Sequence, residues 1–386
     1  MRSVRVHRKA FERIELGHVW IFNQEILDDL DEDLVECIQL CDERGKYFAS
    51  ALLDTRSQVP IRIYSRKREE LSIESVRRRV ELALGWRDLV VPSDNTGYRL
   101  IFSESDLLPG LIIDRFGDGI AIQCTMRNYL PWLEEILKEI EKRFPVSLAV
   151  IESEGSRSTL RSNSSGQAIY RLNSVQMQAD LLEGPKTGAF LDQRENYLAV
   201  ASWTHRLGLN GHALDLFTSN GGFALHLAGP MERVDAVDSS DGAITNLKRN
   251  AELNGFTNIK GIKSDVKQFL RGLAQSKHHY DVVICDPPAF AKNKRHKPEA
   301  LRAYFELNLR AMTALGRKAL FVSCSCSRNI SEAELCEAVR EAGGNSRRTL
   351  TLLEQRAQSL DHKVLLNIPE TSYLKCLIFS VQDGLN

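Results

Sequence analysis

The chain has 386 residues, of which 43% are hydrophobic and 26% charged, and its 51 basic and 51 acidic side chains cancel to a formal net charge of zero. This composition excludes a disordered or fibrous chain, and at about 150 residues per domain the length predicts two or three domains. Global charge gives no attraction for nucleic acid, so such a partner would have to be held by local basic patches.

Met1-Arg2-Ser3-Val4-Arg5 leads into charged sequence with no apolar core of a signal peptide, and no apolar run reaches the roughly 18 residues that span a bilayer. The expectation is a cytoplasmic protein without a membrane partner, its eight cysteines reduced. Cys37 and Cys41 lack a matching second pair, and Cys324-Ser325-Cys326 is too tight for a structural zinc pair, so no metal is expected.

In chain order, residues 1–68 carry short β-like runs at Val19–Phe22, Val35–Ile38, Tyr47–Leu53 and Ile61–Tyr64, a spacing that predicts a small β-barrel. Residues 69–175 read as a mixed α+β unit. Val76–Leu84 is helical and strongly basic, Phe116-Gly117-Asp118-Gly119 is a hairpin turn between Leu111–Asp114 and Ile120–Gln123, and Trp132–Ile140 has helical period. Residues 176–386 alternate strand and helix. Strands are predicted at Ala213–Phe217, Val234–Asp238, Asp281–Asp286, Ala319–Ser323 and Leu374–Val381, with a helix capped by Ser239 or Ser240 and ending before Gly255. Such alternation predicts an α/β, mostly parallel, doubly wound sheet.

Ligands of open α/β sheets bind beyond the carboxyl ends of the strands. Here the strand ends are acidic: Asp215, in Asp215-Leu216-Phe217-Thr218-Ser219-Asn220-Gly221-Gly222, then Asp238 followed by Ser239, then Asp265 followed by Val266. The glycine pair permits close backbone approach, Asp238 suits ribose hydroxyls and Asp265 an adenine amino group. The pyrophosphate turn of dinucleotide folds and the phosphate-binding P-loop are both absent. A sulfonium cofactor has no phosphates and a positive charge that carboxylates offset, so S-adenosyl-L-methionine is the predicted cofactor. Taken singly, each aspartate also reads as a helix cap or turn residue.

The fourth strand runs into Asp286-Pro287-Pro288-Ala289-Phe290. Paired prolines stiffen a loop whose aspartate and aromatic can grip a flat base. Comparable tetrads in amino-nitrogen methyltransferases place the aromatic directly after the second proline, whereas here Ala289 intervenes. The neighbouring strand ends Ser323-Cys324-Ser325-Cys326-Ser327-Arg328, bringing a thiol toward Asp286. A thiolate that adds to carbon 6 of a pyrimidine makes carbon 5 nucleophilic. Arg328 or the helix beginning near Ser331 is expected to favour that thiolate. Both cysteines also read as small strand-end hydrophobes, and Cys285 as a core residue.

At this point the chain resembles the bacterial large-subunit (23S) ribosomal RNA cytosine-C5 methyltransferases that carry an N-terminal PUA domain. The resemblance rests on Gly17–Phe22, Gly184–Asn196, Asp286–Lys292, Ser325-Cys326-Ser327, Pro369-Glu370-Thr371 and Tyr373-Leu374-Lys375. It implies a Rossmann-like class I methyltransferase domain at 176–386, a PUA-like RNA-binding barrel at 1–68 and a central α+β subdomain at 69–175. It implies that Gln193, Arg194, the turn with Phe217, Ser219, Asn220 and Gly221, and Asp238, Asp265 and Asp286 hold the cofactor. Cys326 becomes the nucleophile, Asp286 its base-orienting partner, and Cys324 an accessory. A homodimer is plausible by the same likeness. One departure is Asp361-His362-Lys363-Val364, where the family has proline third, which predicts a looser loop.

The target base must leave its stack, and Pro287, Pro288, Phe290, Lys292, Lys294 and Arg295 are the expected RNA-binding residues. Arg66-Lys67-Arg68 and Arg77-Arg78-Arg79 are either further phosphate contacts or salt-bridged helix faces. Alternatives are methylation of a guanine or adenine nitrogen by the same fold, a non-catalytic PUA-type RNA-binding factor, and a small-molecule or DNA methyltransferase.

Overall fold

The computed structural model describes residues 1–162, 165–184, 187–276, 278–291 and 293–384. It divides into two compact units: Met1–Arg171 with Ala179–Ala189 and Leu360–Thr371, and Leu172–Gln178 with Phe190–Ser359 and Ser372–Asn386. No helix among the described residues is long and apolar enough to cross a membrane.

The first unit begins with a five-stranded sheet in which Arg2–Arg5, Val35–Cys41, Tyr47–Asp54, Ile61–Ser65 and Trp20–Ile21 are successive neighbours. Its apolar face, with Ile38, Leu40, Ala51, Leu53 and Ile61, packs on Ala10 and Ile14 of the helix Arg8–Glu15. A second five-stranded sheet orders Ser156–Arg161, Leu148–Ser153, Gly119–Cys124, Leu111–Phe116 and Gly97–Phe102. Ser72 caps the helix Ile73–Val90 by accepting from Ser75 N–H, and Val76, Val80, Ala83 and Leu84 form its buried stripe.

In this unit the basic clusters follow the second of their two readings. Arg79, within the basic triplet, is buried and donates to the carbonyls of Leu107 (2.8 Å) and Tyr64 (3.0 Å). Arg77 pairs with Glu135, Arg66 with Glu15, and Arg68 lies 4.6 Å over the Tyr47 ring. The two clusters thus serve largely as structural cations. The Asp361–Val364 loop, expected to be looser, is held by buried bonds. Asp361 is fully buried and accepts from Arg99 N–H at 2.8 Å, Arg87 donates to its carbonyl at 2.7 Å, and Lys363 pairs with Asp106 at 2.5 Å.

The second unit holds the seven-stranded sheet: β1 His212–Leu216, β2 Arg233–Asp238, β3 Ile259–Lys263, β4 Tyr280–Cys285, β5 Leu315–Ser325, β6 Arg348–Arg356 and β7 Lys375–Asp383. Its order is β3-β2-β1-β4-β5-β7-β6, with β7 antiparallel to both neighbours and β1 to β5 parallel. Helices α1 Arg194–Leu207, α2 Gly222–Leu227, α3 Asp241–Leu253, α4 Val266–Leu273, α5 Lys297–Met312 and α6 Glu332–Asn345 connect the strands. This is the expected α/β doubly wound architecture. One core packs Leu214, Leu216, Val283, Cys285, Phe321, Leu377 and Phe379 against Tyr304, Leu307 and Ala311 of α5 and Leu335 and Val339 of α6. The chain winds outward through β1, β2 and β3 and then returns to β4 and β5. The switch point therefore lies between β1 and β4, where such folds bind ligands.

Candidate active site

The turn after β1 is the most contorted backbone at the switch point. Phe217 and Ser219 adopt φ of 65° and 49°, and Gly221 has φ 89°. Side-chain-bearing residues avoid this region, and strain of this kind collects at functional sites. A Cβ on Gly221 would sit 2.4 Å from Leu247 Cδ1, so that side chain would have to shift. Asn220 is buried, and its carbonyl accepts from Asn250 Nδ2 at 3.0 Å.

The carboxylates at the strand ends shape this turn. Asp215 is 1% exposed and accepts from Thr218 Oγ1 at 2.6 Å and Ala224 N–H at 3.1 Å. Burial pushes its pKa up to about 7; the Thr218 hydrogen bond opposes that, and repulsion from Asp286 adds to it. Asp238 accepts from Ser219 N–H at 3.0 Å and Ser240 N–H at 2.9 Å, tying the turn to the head of α3. Asp265 caps α4 through Gln268 N–H at 2.9 Å while remaining exposed. Each aspartate therefore has the local turn or cap role that it also suggests singly. Ser239 is exposed, and Val266 is buried at the first position of α4.

Do these residues suit S-adenosylmethionine? The donor set is rich in carboxylate around a tight turn, with Asp215 and Asp238 both bonded to it. An adenosine with a cationic sulfonium fits this chemistry, because carboxylates offset its charge.

Gln193 and Arg194, at the head of α1, are buried. Gln193 Nε2 donates to Asp286 Oδ2 at 3.0 Å, while its Oε1 accepts from Asn196 Nδ2 at 2.5 Å. Arg356 Nε in turn donates to Asn196 Oδ1 at 2.9 Å. This chain fixes which end of the Gln193 amide faces Asp286, just beyond β4. Arg194 Nη2 contacts Glu195 Oε1 at 3.3 Å.

The loop after β4 is tied to the end of β5. Ala291 N–H donates to Ser327 Oγ at 3.4 Å, and Asn329 Nδ2 to the Ala291 carbonyl at 3.3 Å. Pro287 is buried and Pro288 exposed. Phe290 is half-buried and packs on Tyr304, with centroids 4.9 Å apart, so its ring is partly committed to the core. Arg295 is exposed. Lys292 and the side chain of Lys294 lie outside the described residues, as do Pro185 and Lys186 of the Gly184–Asn196 motif.

The two cysteines after Ser323 differ. Cys324 is fully buried opposite Cys376, and burial, with Cys376 alongside, pushes its thiol well up, which suits a packed neutral side chain. Cys326 is half-buried between Ser325 and Ser327, both essentially fully buried. Tyr304 donates to Ser325 Oγ at 2.8 Å and lies 3.2 Å from Ser327 Oγ. The Tyr304 hydroxyl lies within the fields of both Cys326 and Asp286.

Besides the expected Arg328, a second cation stands beside this segment. Arg328 is exposed, and Ser331 and Glu334 form a reciprocal capping box at the head of α6. Lys375, the register partner of Ser325, is 9% exposed and donates to the carbonyls of Ser327 (2.7 Å) and Tyr373 (3.0 Å). Burial pulls its pKa down to about 8, while the fields of Cys326, Glu332 and Glu334 oppose that. Tyr304 and Lys375 are the contributors that sequence reasoning left without a role. Lys375 stands in the Tyr373-Leu374-Lys375 motif of the resemblance, which attaches no role to it, and Tyr304 reads as one more core position of a helix.

Residues 4–66 match the profile of a PUA-like domain and residues 209–364 that of a methyltransferase domain. Ribosomal RNA large subunit methyltransferase I of Citrobacter koseri is 30% identical over 376 residues, which is 93% of this chain and 94% of that protein. The Tolumonas auensis protein of the same name is 30% identical over 380 residues, 94% of each chain. Among solved structures, SMU.776, described as a methyltransferase complexed with SAH, superposes with TM-score 0.83 at 20% identity, covering 98% of this chain and all of that one. A Streptococcus mutans structure described as a SAM-dependent methyltransferase gives TM-score 0.82 at 19% identity, with the same coverage. At those identities the likeness establishes a shared fold.

Proposed function

The chain belongs to the ribosomal RNA large subunit methyltransferase I family, and on that premise we propose that it methylates carbon 5 of a cytosine in large-subunit ribosomal RNA through a covalent adduct to Cys326. One observation carries the choice of carbon 5: a half-buried thiol stands at the carboxyl end of β5, beside the strand that leads into Asp286. Methylation of an amino nitrogen needs no such thiol.

The cofactor, S-adenosylmethionine, supplies an electrophilic methyl group when bound. In this reading it is held by Gln193, Arg194, the Asp215–Gly221 turn, Asp238 with Ser239, and Asp265 with Val266. Asp286 orients the N3 and amino edge of the flipped cytosine, its own position set by Gln193. The Cys326 thiolate forms a bond to carbon 6, and the displaced electron pair makes carbon 5 the methyl acceptor. A base then takes the carbon-5 proton, the carbon–sulfur bond breaks, and the pyrimidine double bond and the thiolate are restored. Cys324, buried and held neutral, packs behind the site.

Pro287, Pro288 and Phe290 are proposed to border the flipped base, with Lys292, Lys294 and Arg295 on adjoining phosphates. RNA affinity should then fall steeply as salt rises. A cytoplasmic location and a homodimer belong to the same reading.

Mass spectrometry of nucleosides from large-subunit RNA, incubated with the protein and S-adenosylmethionine, tests the assignment. 5-Methylcytidine is the expected product, and its loss in Cys326→Ala with cofactor binding retained is the expected control. A methylated guanine or adenine nitrogen would overturn the choice of base.

A further inference from the structure

The proposal concerns Lys375, and it rests on the reading of Cys326 as the nucleophile. A buried ammonium is costly unless an opposite charge compensates it. Lys375 is 9% exposed, and its Nζ is anchored on the Ser327 and Tyr373 carbonyls. Among the described residues no carboxylate lies within 4 Å of Nζ, and Lys375 forms no ion pair. Carbonyl dipoles solvate the charge without neutralising it.

The charged and titratable groups around Lys375 can be named. Glu332 and Glu334, at the head of α6, act on it at longer range, and Glu334 is already paired with Lys297 at 2.6 Å and bonded to Ser331. The Tyr304 hydroxyl is bonded to Ser325 and lies 3.2 Å from Ser327 Oγ, and the charge of Asp286 acts on that hydroxyl. Arg328 is exposed. The field of Cys326 also acts on Lys375, and its own segment carries the Ser327 carbonyl on which the ammonium rests. Pairing of Ser325 with Lys375 across β5 and β7 builds this juxtaposition into the sheet register.

We propose that Lys375 is the positioning residue that holds Cys326 as a thiolate before RNA arrives, its ammonium being the counter-charge that the anchored backbone carbonyls keep beside the sulfur. The thiol proton is released to solvent, and Lys375 keeps its own. The residue acts through Cys326 and needs no contact with the base.

Alkylation of Cys326 by iodoacetamide across a pH series, read by mass spectrometry of the Cys326 peptide without RNA, tests this. In the native protein the pH midpoint should lie below that of the same cysteine in the urea-unfolded chain. Lys375→Met should move the midpoint up by about one unit, which slows alkylation near neutral pH about tenfold, and Lys375→Arg should restore most of it. A native midpoint equal to the unfolded one, or an unchanged profile in folded Lys375→Met, overturns the proposal. The native comparison decides even if Lys375→Met does not fold. Because no RNA is present, a Cys326→Ala protein that still methylates carbon 5 would remove the functional reading while leaving this pairing measurable.

Discussion

Tyr304 donates its phenolic hydrogen to Ser325 Oγ at 2.8 Å, so a fully buried side chain of α5 grips the residue just before Cys326. Its oxygen also lies 3.2 Å from Ser327 Oγ on the other side. Removing the hydroxyl leaves buried serine oxygens without that partner. Tyr304→Phe should cost about 1–3 kcal/mol of stability and loosen the cysteine. Methyl transfer should fall at least tenfold while S-adenosylmethionine affinity, measured by titration calorimetry, stays near that of the parent. An unchanged turnover would remove Tyr304 from the site.

Asp215 makes a pH prediction of definite sign. Its folded pKa, about 7, lies above the ordinary 3.8 because the carboxyl is buried. Between those values the folded chain binds a proton that the unfolded chain has lost. The stabilisation is thus full below about pH 4 and is lost as pH rises through about 7. Asp215→Asn keeps an acceptor oxygen for Thr218 and Ala224 and removes the titration. Urea midpoints of this variant should vary less between pH 4 and 7 than those of the parent. Equal slopes would show that Asp215 does not titrate there.

Much of this unit was legible in the sequence. The alternation of apolar runs with Gly- and Ser-bounded helices gave the sheet, the Ser240 and Ser331 caps fell where side chains could accept backbone N–H groups, and the strand ends named Asp215, Asp238, Asp286 and Cys326. Edge strand β6 was not, because its Arg348–Arg356 sequence lacks a continuous apolar face. The parts played by Lys375 and Tyr304 were hidden for another reason. Their roles exist only once β7 pairs antiparallel with β5 and α5 packs on that sheet, and local periodicity does not encode that register. Nearness in sequence favoured Arg328, whose side chain the fold turns to solvent.

Gly221 tests the turn after β1. A methyl group there meets Leu247 Cδ1 at 2.4 Å, and φ of 89° disfavours any side chain even if Leu247 yields. Gly221→Ala should cost about 1–2 kcal/mol of stability. It should also weaken S-adenosylmethionine binding at least tenfold while leaving RNA binding, read by filter retention, nearly intact. Undiminished cofactor affinity would place the ligand away from this turn.

The most direct test of the covalent account uses large-subunit RNA containing 5-fluorocytidine, incubated with the protein and S-adenosylmethionine. A fluorine at carbon 5 cannot leave as a proton does, so the carbon–sulfur bond should persist. The predicted result is a protein–RNA adduct that survives denaturation, maps by mass spectrometry to Cys326 and is absent from Cys326→Ala. An adduct on Cys324, or none from protein that methylates unsubstituted cytosine, would contradict the account.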